Sequence, residues 1–284
     1  MSIALKGKEV AKALNENTKR DVQELKSKGI TPKLAIVQVG ERPEDISYRN
    51  GTIKRFNEVG MDVEVYNYNK DISMDEFICN LKKINKDSTI HGILIFRPLP
   101  KQLDYDVIKN IIAPEKDIDC MSPINLEKVF EGELDGFVPC TPKSVMEILK
   151  YYNIPLQGAN VVVINRSMVV GKPLAMMLLA ENATVTICHS KTKNLPEIAS
   201  KADIVIAAVG RARVVGEEYV NSKSVVIDVG INDAGEGKIC GDVDYDAIKD
   251  KVYAVTPVPG GVGSVTSAIL RSQVVLACKK SMNN

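Results

Sequence analysis

The chain has few of the residues that usually build metal centres and disulfide frameworks. Its 284 residues include two histidines, and its six cysteines are scattered with no Cys-x-x-Cys pair. Zinc sites and disulfide frameworks depend on grouped cysteines, so neither is expected here and no metal site is predicted. The scarcity of histidine also disfavours histidine-based catalysis. Scattered cysteines suit a protein whose thiols stay reduced, which favours a cytoplasmic location.

Long apolar runs and an excess of one charge are also missing. Lys and Arg number 37 and Asp and Glu number 36, so the net charge of +1 gives no electrostatic basis for binding a nucleic acid or a membrane surface. The start, Met-Ser-Ile-Ala-Leu-Lys-Gly-Lys, has no hydrophobic core of a signal peptide. No run is long enough to cross a bilayer. The length allows one large or two ordinary globular domains.

Strand and helix patterns alternate along the chain, which predicts an α/β fold with parallel sheets. The pattern starts again near residues 140–155, so two domains are expected: 1–143 with a returning C-terminal helix at 266–284, and 144–265. Predicted helices cover residues 7–28, 44–59, 74–85, 103–112, 141–152, 172–180, 195–201 and 265–278. Predicted strands cover residues 33–39, 62–68, 90–96, 160–164, 184–188, 204–209, 224–229 and 252–255.

The segment Val255-Thr-Pro-Val-Pro-Gly-Gly-Val-Gly-Ser-Val-Thr266 is the clearest candidate for a binding loop. Its prolines fix φ, and its glycines let a ligand approach the backbone. An apolar strand precedes it and an apolar helix follows it, and open α/β sheets bind ligands at the carboxyl ends of their strands. The alternative is an ordinary Gly/Pro connector.

A second candidate site is the segment Asn165-Arg-Ser-Met-Val-Val-Gly-Lys-Pro173, which follows a buried strand. A strand, a turn and a helix start form the geometry that places a pyrophosphate on free helix N–H groups. Asn165 stands where the first glycine of Gly-x-Gly-x-x-Gly would be, and we expect it to tolerate a left-handed turn. An ordinary βα connection is the alternative. Small residues after two later strands, at Gly210 and at Gly230-Ile231, would let a dinucleotide lie close to the sheet.

The end of the next strand bears on the choice of dinucleotide. NAD enzymes usually place an acid there, about 20 residues after the turn, to bind the ribose 2′-hydroxyl. Here the strand is followed by His189-Ser-Lys-Thr-Lys193, which has hydroxyls and cations but no carboxylate. Together with Arg166, these donors suit a 2′-phosphate, so NADP is expected rather than NAD. A solvated basic loop is the alternative.

Besides these segments, the chain contains five further short motifs. They are Tyr48, Arg97-Pro-Leu-Pro100, Lys116-Asp-Ile-Asp119, Pro139-Cys-Thr-Pro142 and Val226-Ile-Asp-Val-Gly-Ile-Asn232. All of these motifs follow one another along the chain as they do in the methylenetetrahydrofolate dehydrogenase/cyclohydrolase family, and the chain resembles that family over nearly its whole length. The resemblance implies two α/β domains around a cleft, of which the second is Rossmann-like. It also implies a C-terminal helix that returns to the first domain, and a homodimer.

The resemblance also implies roles for individual residues. Tyr48 would stack on or border the pterin, and Asp119 would accept hydrogen bonds from its amino-pyrimidine edge. A capping or surface carboxylate is the alternative for Asp119. The folate pocket would also be shaped by Pro98, Leu99, Pro100, Pro259, Gly260, Gly261 and Val262. NADP would be held by Asn165, Arg166, Ser167, His189, Ser190, Gly210, Gly230 and Ile231, with the region of Thr141 facing the nicotinamide.

The chain departs from the family pattern at two positions that serve hydrolysis. Bifunctional members are expected to carry a lysine one helical turn after the tyrosine and a glutamine before Leu-Pro-Leu-Pro, where this chain has Thr52 and Phe96. Threonine offers no usable base near neutral pH, and phenylalanine can neither donate nor accept a proton. Three further departures are Arg97 for a leucine, Cys120 for a glycine and Asp45 for a serine.

Hydride transfer from the methylene carbon moves no proton and depends on positioning. The predicted function is therefore NADP-dependent oxidation of 5,10-methylenetetrahydrofolate to 5,10-methenyltetrahydrofolate, with cyclohydrolase activity weak or absent. One alternative is the bifunctional dehydrogenase/cyclohydrolase. An alternative of another class is a non-catalytic folate- or dinucleotide-binding protein. A dehydrogenase for another small substrate has less support.

Overall fold

The computed structural model describes residues 2–282, which form two compact units. The first unit contains the residues up to Lys12, 129–134 and 139–266, and the second contains 13–128, 135–138 and the residues from Ser267 on. The predicted domain boundaries at 143/144 and 265/266 concern the functional domains and stay a prediction. No helix within residues 2–282 is both long enough and apolar enough to span a membrane.

Strands and helices alternate through most of the described chain. The helices are α1 Gly7–Ser27, α2 Pro43–Asn57, α3 Met74–Lys86, α4 Tyr105–Ile108, α5 Pro123–Glu131, α6 Cys140–Tyr151, α7 Gly171–Ala180, α8 Leu195–Ala199, α9 Tyr245–Ile248 and α10 Val262–Ser281. The strands are β1 Ile3–Ala4, β2 Lys33–Val39, β3 Asp62–Tyr68, β4 Gly92–Ile95, β5 Asn160–Ile164, β6 Thr184–Cys188, β7 Ile204–Ala207, β8 Val225–Asp228, β9 Asn232–Gly235, β10 Lys238–Cys240 and β11 Ala254–Val255.

The first unit is built on a six-stranded sheet in the order β1-β11-β8-β7-β5-β6. Every neighbouring pair in it is parallel. Strands β7 and β8 are buried along their whole length, as continuous apolar runs in a covered parallel sheet should be. Strands β9 and β10 form a separate antiparallel pair.

The second unit contains a three-stranded parallel sheet in the order β3-β2-β4. Its core includes Phe77 and Leu81 of α3 packed with Ile93 and Ile95 of β4. Helix α3 begins after Ser73, whose side chain accepts a hydrogen bond from the Glu76 N–H as in a capping box. Parallel pairing places the carboxyl ends of β2 and β4 at the same edge, with Val37 opposite Ile95. The predicted fold class, with parallel α/β sheets in both units, is confirmed.

Several predicted elements were wrong in extent. The helix expected at 103–112 is regular only over Tyr105–Ile108. Helix α6 begins at Cys140, one residue before the predicted start at 141, and Pro139 precedes it without a side-chain cap. Helix α5 and the β9–β10 pair were not predicted, because α5 is only nine residues long and the pair is short and mostly polar.

Candidate active site

The βα turn after β5 is organised by the side chain of Asn165. Its Oδ1 accepts hydrogen bonds from the backbone N–H of Ser167 at 2.7 Å and of Gly171 at 3.0 Å. Its Nδ2 donates to the Ala208 carbonyl at 2.5 Å, beyond the end of β7. Asn165 is not among the residues with positive φ, so the expectation of a left-handed Asn165 is wrong. The side chain shapes the turn through hydrogen bonds, a role that asparagine commonly takes in Asx-turns.

Two predicted cofactor residues lie at matching places on neighbouring strand ends. Ile164 of β5 pairs with Cys188 of β6, so Arg166 and Ser190 each lie two residues beyond the same rung of the sheet. Both are exposed. The donors expected for a 2′-phosphate therefore lie at one edge of the sheet. Whether they bind a cofactor stays a prediction.

Ser167 and His189 already have local partners in these turns. The Ser167 hydroxyl donates to Asn165 Oδ1 at 2.7 Å and accepts from the Val170 N–H at 3.1 Å. His189 Nδ1 accepts from the Lys191 N–H at 3.2 Å. These contacts hold the turns in shape, and any contact of either side chain with a cofactor would be additional to them.

Two buried carboxylates, which the sequence reasoning did not single out, hold the loops of Gly210 and Gly230. Asp242 Oδ2 accepts from the backbone N–H of Val209 and, at 2.9 Å, of Gly210. Asp228 accepts from the N–H of Gly230 at 2.9 Å and from that of Asp242 at 3.0 Å. Burial raises the pKa of Asp228 to about 6, although its backbone donors oppose that shift. A Cβ on Gly230 would lie 2.3 Å from Asp242, so glycine is required there.

The Pro259–Val262 loop and Thr141 also lie in the first unit. The Gly7 N–H donates to the Gly260 carbonyl at 2.8 Å, and Gly260 has φ +102, a conformation that favours glycine. Ile231, after β8, is 63% exposed. Thr141 lies in the first turn of α6. The structure thus places the predicted cofactor residues and this loop in one unit, and the other predicted folate residues in the second.

In the second unit, Tyr48 and Phe96 lie side by side. Their ring centroids are 5.4 Å apart at an interplanar angle of 51°. Tyr48 is 42% exposed whereas Phe96 is 7% exposed, so the phenyl ring supports the tyrosine from the protein side. Thr52 follows Tyr48 by four residues on α2 and is buried. The two substituted positions, 52 and 96, therefore both adjoin Tyr48, one on its helix and one against its ring.

Asp119 lies in a short segment whose backbone is fixed from both sides. Buried Asp117 accepts from the N–H groups of Met121 at 2.9 Å and Ser122 at 2.8 Å. Gln273 of α10 donates to the Ile118 carbonyl at 2.5 Å. Cys120 has φ 55, which explains physically why a glycine is the usual residue at that position. Burial raises the pKa of the Cys120 thiol, so it stays a protonated, inert side chain.

Arg97 pairs with Asp119, a contact that the sequence reasoning missed. Arg97 Nη2 lies 3.3 Å from Asp119 Oδ2, and the two side chains are 28% and 29% exposed. Arg97 Nη1 also donates to the Tyr105 hydroxyl at 3.4 Å. The only signal in the sequence was the substitution of arginine for an expected leucine, which by itself did not identify a partner.

Arg271 on α10 is a second missed cation, buried beside α2. Its Nε and Nη2 donate to Asn15 Oδ1 at 3.2 and 2.6 Å. Burial, and then the neighbouring charge of Arg55, lower its pKa to about 10, and Tyr48 is near enough to affect it. A guanidinium with that pKa is still protonated at neutral pH, so Arg271 cannot act as a general base there.

Comparison with known proteins decides the family. A model of the tetrahydrofolate dehydrogenase/cyclohydrolase catalytic domain matches residues 5–119. A model of the NAD(P)-binding domain of the same family matches residues 139–282. The chain belongs to the tetrahydrofolate dehydrogenase/cyclohydrolase family. The predicted family and the predicted NAD(P)-type cofactor are confirmed.

Individual relatives resemble the chain over its whole length. Bifunctional protein FolD 1 of Desulfitobacterium hafniense is 58% identical and covers 98% of this chain and 99% of its own. A bifunctional FolD enzyme of Campylobacter jejuni has a similar structure, with 40% identity, a TM-score of 0.96 and 99% of each chain covered. The dehydrogenase–cyclohydrolase of Trypanosoma brucei, solved with NADP and an inhibitor, has 30% identity, a TM-score of 0.94 and coverage of 100% and 99%.

Proposed function

We propose that this enzyme oxidises 5,10-methylenetetrahydrofolate to 5,10-methenyltetrahydrofolate with NADP⁺ as the hydride acceptor. The observation that carries the proposal is that one chain has both kinds of motif. Its second unit has the family's folate residues, Tyr48 and Asp119, and its first unit has the Asn165 turn, which suits a dinucleotide. A binding protein without catalysis would need only one such site.

In the proposed complex, the chain's residues act by binding and orientation. Asp119 accepts hydrogen bonds from the amino-pyrimidine edge, since a carboxylate matches two parallel N–H donors. Tyr48, supported by the Phe96 ring, covers a face of the pterin. The hydride leaves a carbon flanked by two nitrogens, and those nitrogens stabilise the cation that forms. The protein therefore needs no base for this step, and positioning supplies most of the acceleration.

NADP is the proposed cofactor because of the side chains that follow β5 and β6. Arg166 and Ser190 lie beyond a paired rung of the sheet, and the segment 189–193 contains no carboxylate that would repel a 2′-phosphate. The Trypanosoma brucei relative was solved with NADP, which supports the same choice.

A second candidate is the bifunctional activity, in which the chain also hydrolyses the methenyl product. The relatives favour this candidate over a loss of hydrolysis, since those of Desulfitobacterium hafniense and Clostridioides difficile are both named bifunctional. The side chains beside Tyr48 support slow hydrolysis instead. Thr52 and Phe96 cannot move a proton, and Arg271, with a pKa of about 10, stays charged.

A paired assay on one preparation tests both candidates. Appearance of NADPH with methylenetetrahydrofolate supports the dehydrogenase, and tight binding without turnover supports a non-catalytic protein. Decay of purified methenyltetrahydrofolate, compared with the buffer rate, then measures hydrolysis. Decay at the rate of a bifunctional relative assayed in parallel would establish the second candidate and overturn the proposed weakness of hydrolysis.

We also propose that the enzyme works as a homodimer in the cytoplasm. All six cysteines are free thiols, which suits a reducing compartment. The dimer follows from the family resemblance and is tested by light scattering coupled to size-exclusion chromatography. A monomeric mass across the working concentration range would contradict it.

A further inference from the structure

The ion pair between Arg97 and Asp119 is held from a second side by Tyr105. Arg97 follows the end of β4, and its guanidinium carbon lies 5.8 Å from the centroid of the Tyr105 ring. Its Nη1 is 3.4 Å from the Tyr105 hydroxyl, while its Nη2 is 3.3 Å from Asp119 Oδ2. The guanidinium is thus fixed between an aromatic ring and the carboxylate, an arrangement that restricts both partners more than a lone surface pair would.

The backbone of Asp119 is fixed independently of Arg97. Asp117 binds the N–H groups of the two residues after Cys120, and Gln273 binds the carbonyl of Ile118. These contacts place the Cα of Asp119 but leave the rotation of its carboxylate undetermined. The contact of Arg97 Nη2 with Asp119 Oδ2, at 3.3 Å, acts directly on the direction of that carboxylate.

We infer that Arg97 is a positioning residue that orients the Asp119 carboxylate for the amino-pyrimidine edge of the folate. This inference rests on the proposed function. A carboxylate must lie in the plane of two parallel N–H donors, and a side chain already held in that plane loses less conformational entropy on binding. An ionised carboxylate has about four lone-pair sites, so an oxygen that accepts from Arg97 can still accept from the substrate.

Steady-state kinetics of Arg97→Leu test the inference. We expect the KM for methylenetetrahydrofolate to rise about 3- to 10-fold, while kcat changes less than about 2-fold and the KM for NADP⁺ is unchanged. Arg97→Lys keeps the charge and should restore part of the affinity, and Tyr105→Phe should give a smaller rise. Lys101→Leu is the matched control, because it removes the same charge from an exposed position on the same loop.

A double-mutant cycle with Asp119→Asn separates action through Asp119 from a direct contact. If Arg97 acts through the carboxylate, Arg97→Leu has no further effect on KM in the Asp119→Asn background. An equal effect in both backgrounds would overturn the inference. The inference would also be overturned if the effect of Arg97→Leu on KM vanished with a tetrahydropteroate substrate, which lacks the glutamate tail. That result would show that Arg97 binds the tail.

Calorimetric binding of tetrahydrofolate separates this inference from the proposed function. If the wild-type chain binds tetrahydrofolate but does not oxidise the methylene derivative, the proposed function fails, and weaker binding by Arg97→Leu still supports the inference. If oxidation is normal and Arg97→Leu binds as tightly as the wild type, only the inference fails. Absence of binding by the wild type would contradict both.

Discussion

Single side chains decide what chemistry the proposed pterin site can support. Thr52 and Phe96 adjoin the proposed stacking residue Tyr48, and neither offers a base that is usable near neutral pH. Arg271, whose pKa is influenced by Tyr48, has a pKa of about 10 and stays protonated at neutral pH. The residue types at positions 52 and 96 are therefore the reason for proposing slow hydrolysis beside hydride transfer.

Restoring the family pattern at these two positions should raise hydrolysis. Thr52→Lys combined with Phe96→Gln introduces a group that can act in proton transfer, so we expect methenyltetrahydrofolate hydrolysis to increase at least about 10-fold. The measurement is the decay of the methenyl compound at fixed enzyme concentration. Thr52→Met with Phe96→Leu is the control for packing changes. No increase above that control would contradict the proposed reason for slow hydrolysis.

Arg166 should determine the preference between the two dinucleotides. Losing a charge-assisted hydrogen bond costs about 1.5–3 kcal/mol, so Arg166→Gln should raise the KM for NADP⁺ about 10- to 100-fold. The KM for NAD⁺ should change little, because NAD⁺ has no 2′-phosphate. Lys223→Gln, an exposed cation of the same unit, is the control. Equal rises for both dinucleotides would exclude the assigned role.

At the scale of elements, the proposed dinucleotide site is a set of strand ends of the first unit that side chains tie together. Asn165 links the turn after β5 to the residue after β7, and Asp242 and Asp228 bind the backbone N–H groups that follow β7 and β8. The neighbouring loops are thus cross-linked through buried acceptors, which hold the backbone where a ligand must approach it.

The buried Asp228 gives this network a pH dependence with a definite sign. Its pKa of about 6 in the folded chain lies above the ordinary value of 3.8. At a pH between these two values, the folded chain therefore keeps a proton on Asp228 that the unfolded chain has lost. The stability contributed by Asp228 is therefore full below about pH 4 and is lost as the pH rises through about 6, by up to about 3 kcal/mol.

Denaturant unfolding at about pH 4.5, below the folded pKa of about 6, and at about pH 7, above it, tests this sign. The free energy of unfolding of the wild type, relative to Asp228→Asn, should be larger at the lower pH. Asp233→Asn, which changes an exposed carboxylate of the same unit, is the control. A wild-type advantage that grows toward pH 7 would show that the pKa is shifted in the other direction.

At the scale of the whole molecule, each of the two units contains the residues of a different proposed ligand site, and residues of one helix, α10, belong to both units. Its first residue belongs to the Pro259–Val262 loop, and its later residues Arg271 and Gln273 bind Asn15 and Ile118 in the second unit. A substitution on α10 can therefore affect either site, depending on its position along the helix.

Cofactor binding should stabilise the chain selectively. A ligand at 100 times its Kd stabilises a folded protein by about 2.7 kcal/mol. NADP⁺ should therefore raise the unfolding temperature more than NAD⁺ does at the same concentration. Arg166→Gln, which removes the proposed phosphate contact, should abolish the difference. An equal shift with both dinucleotides in the wild type would contradict the NADP preference.

Much of the fold could be predicted from the sequence because its signals are local. The buried runs of β5, β7 and β8 and the helix patterns between them predicted a parallel α/β fold, and the motifs around Tyr48, Asp119 and Asn165 predicted the family. Short elements, such as α5 and the β9–β10 pair, were missed. The turn at Asn165 was predicted, but its conformation was not, since that conformation depends on hydrogen-bond partners distant in sequence, such as Ala208.

What the sequence by itself determined is the order of elements, the family and the side chains available at the site, because each follows from residue type and short-range spacing. Which side chains meet was decided only by the tertiary structure. Arg97 and Asp119 are 22 residues apart, Asn165 and Ala208 are 43 apart, and Arg271 and Asn15 are 256 apart. The physical reason is that these partners are brought together by the packing of sheets and helices, which no local pattern specifies.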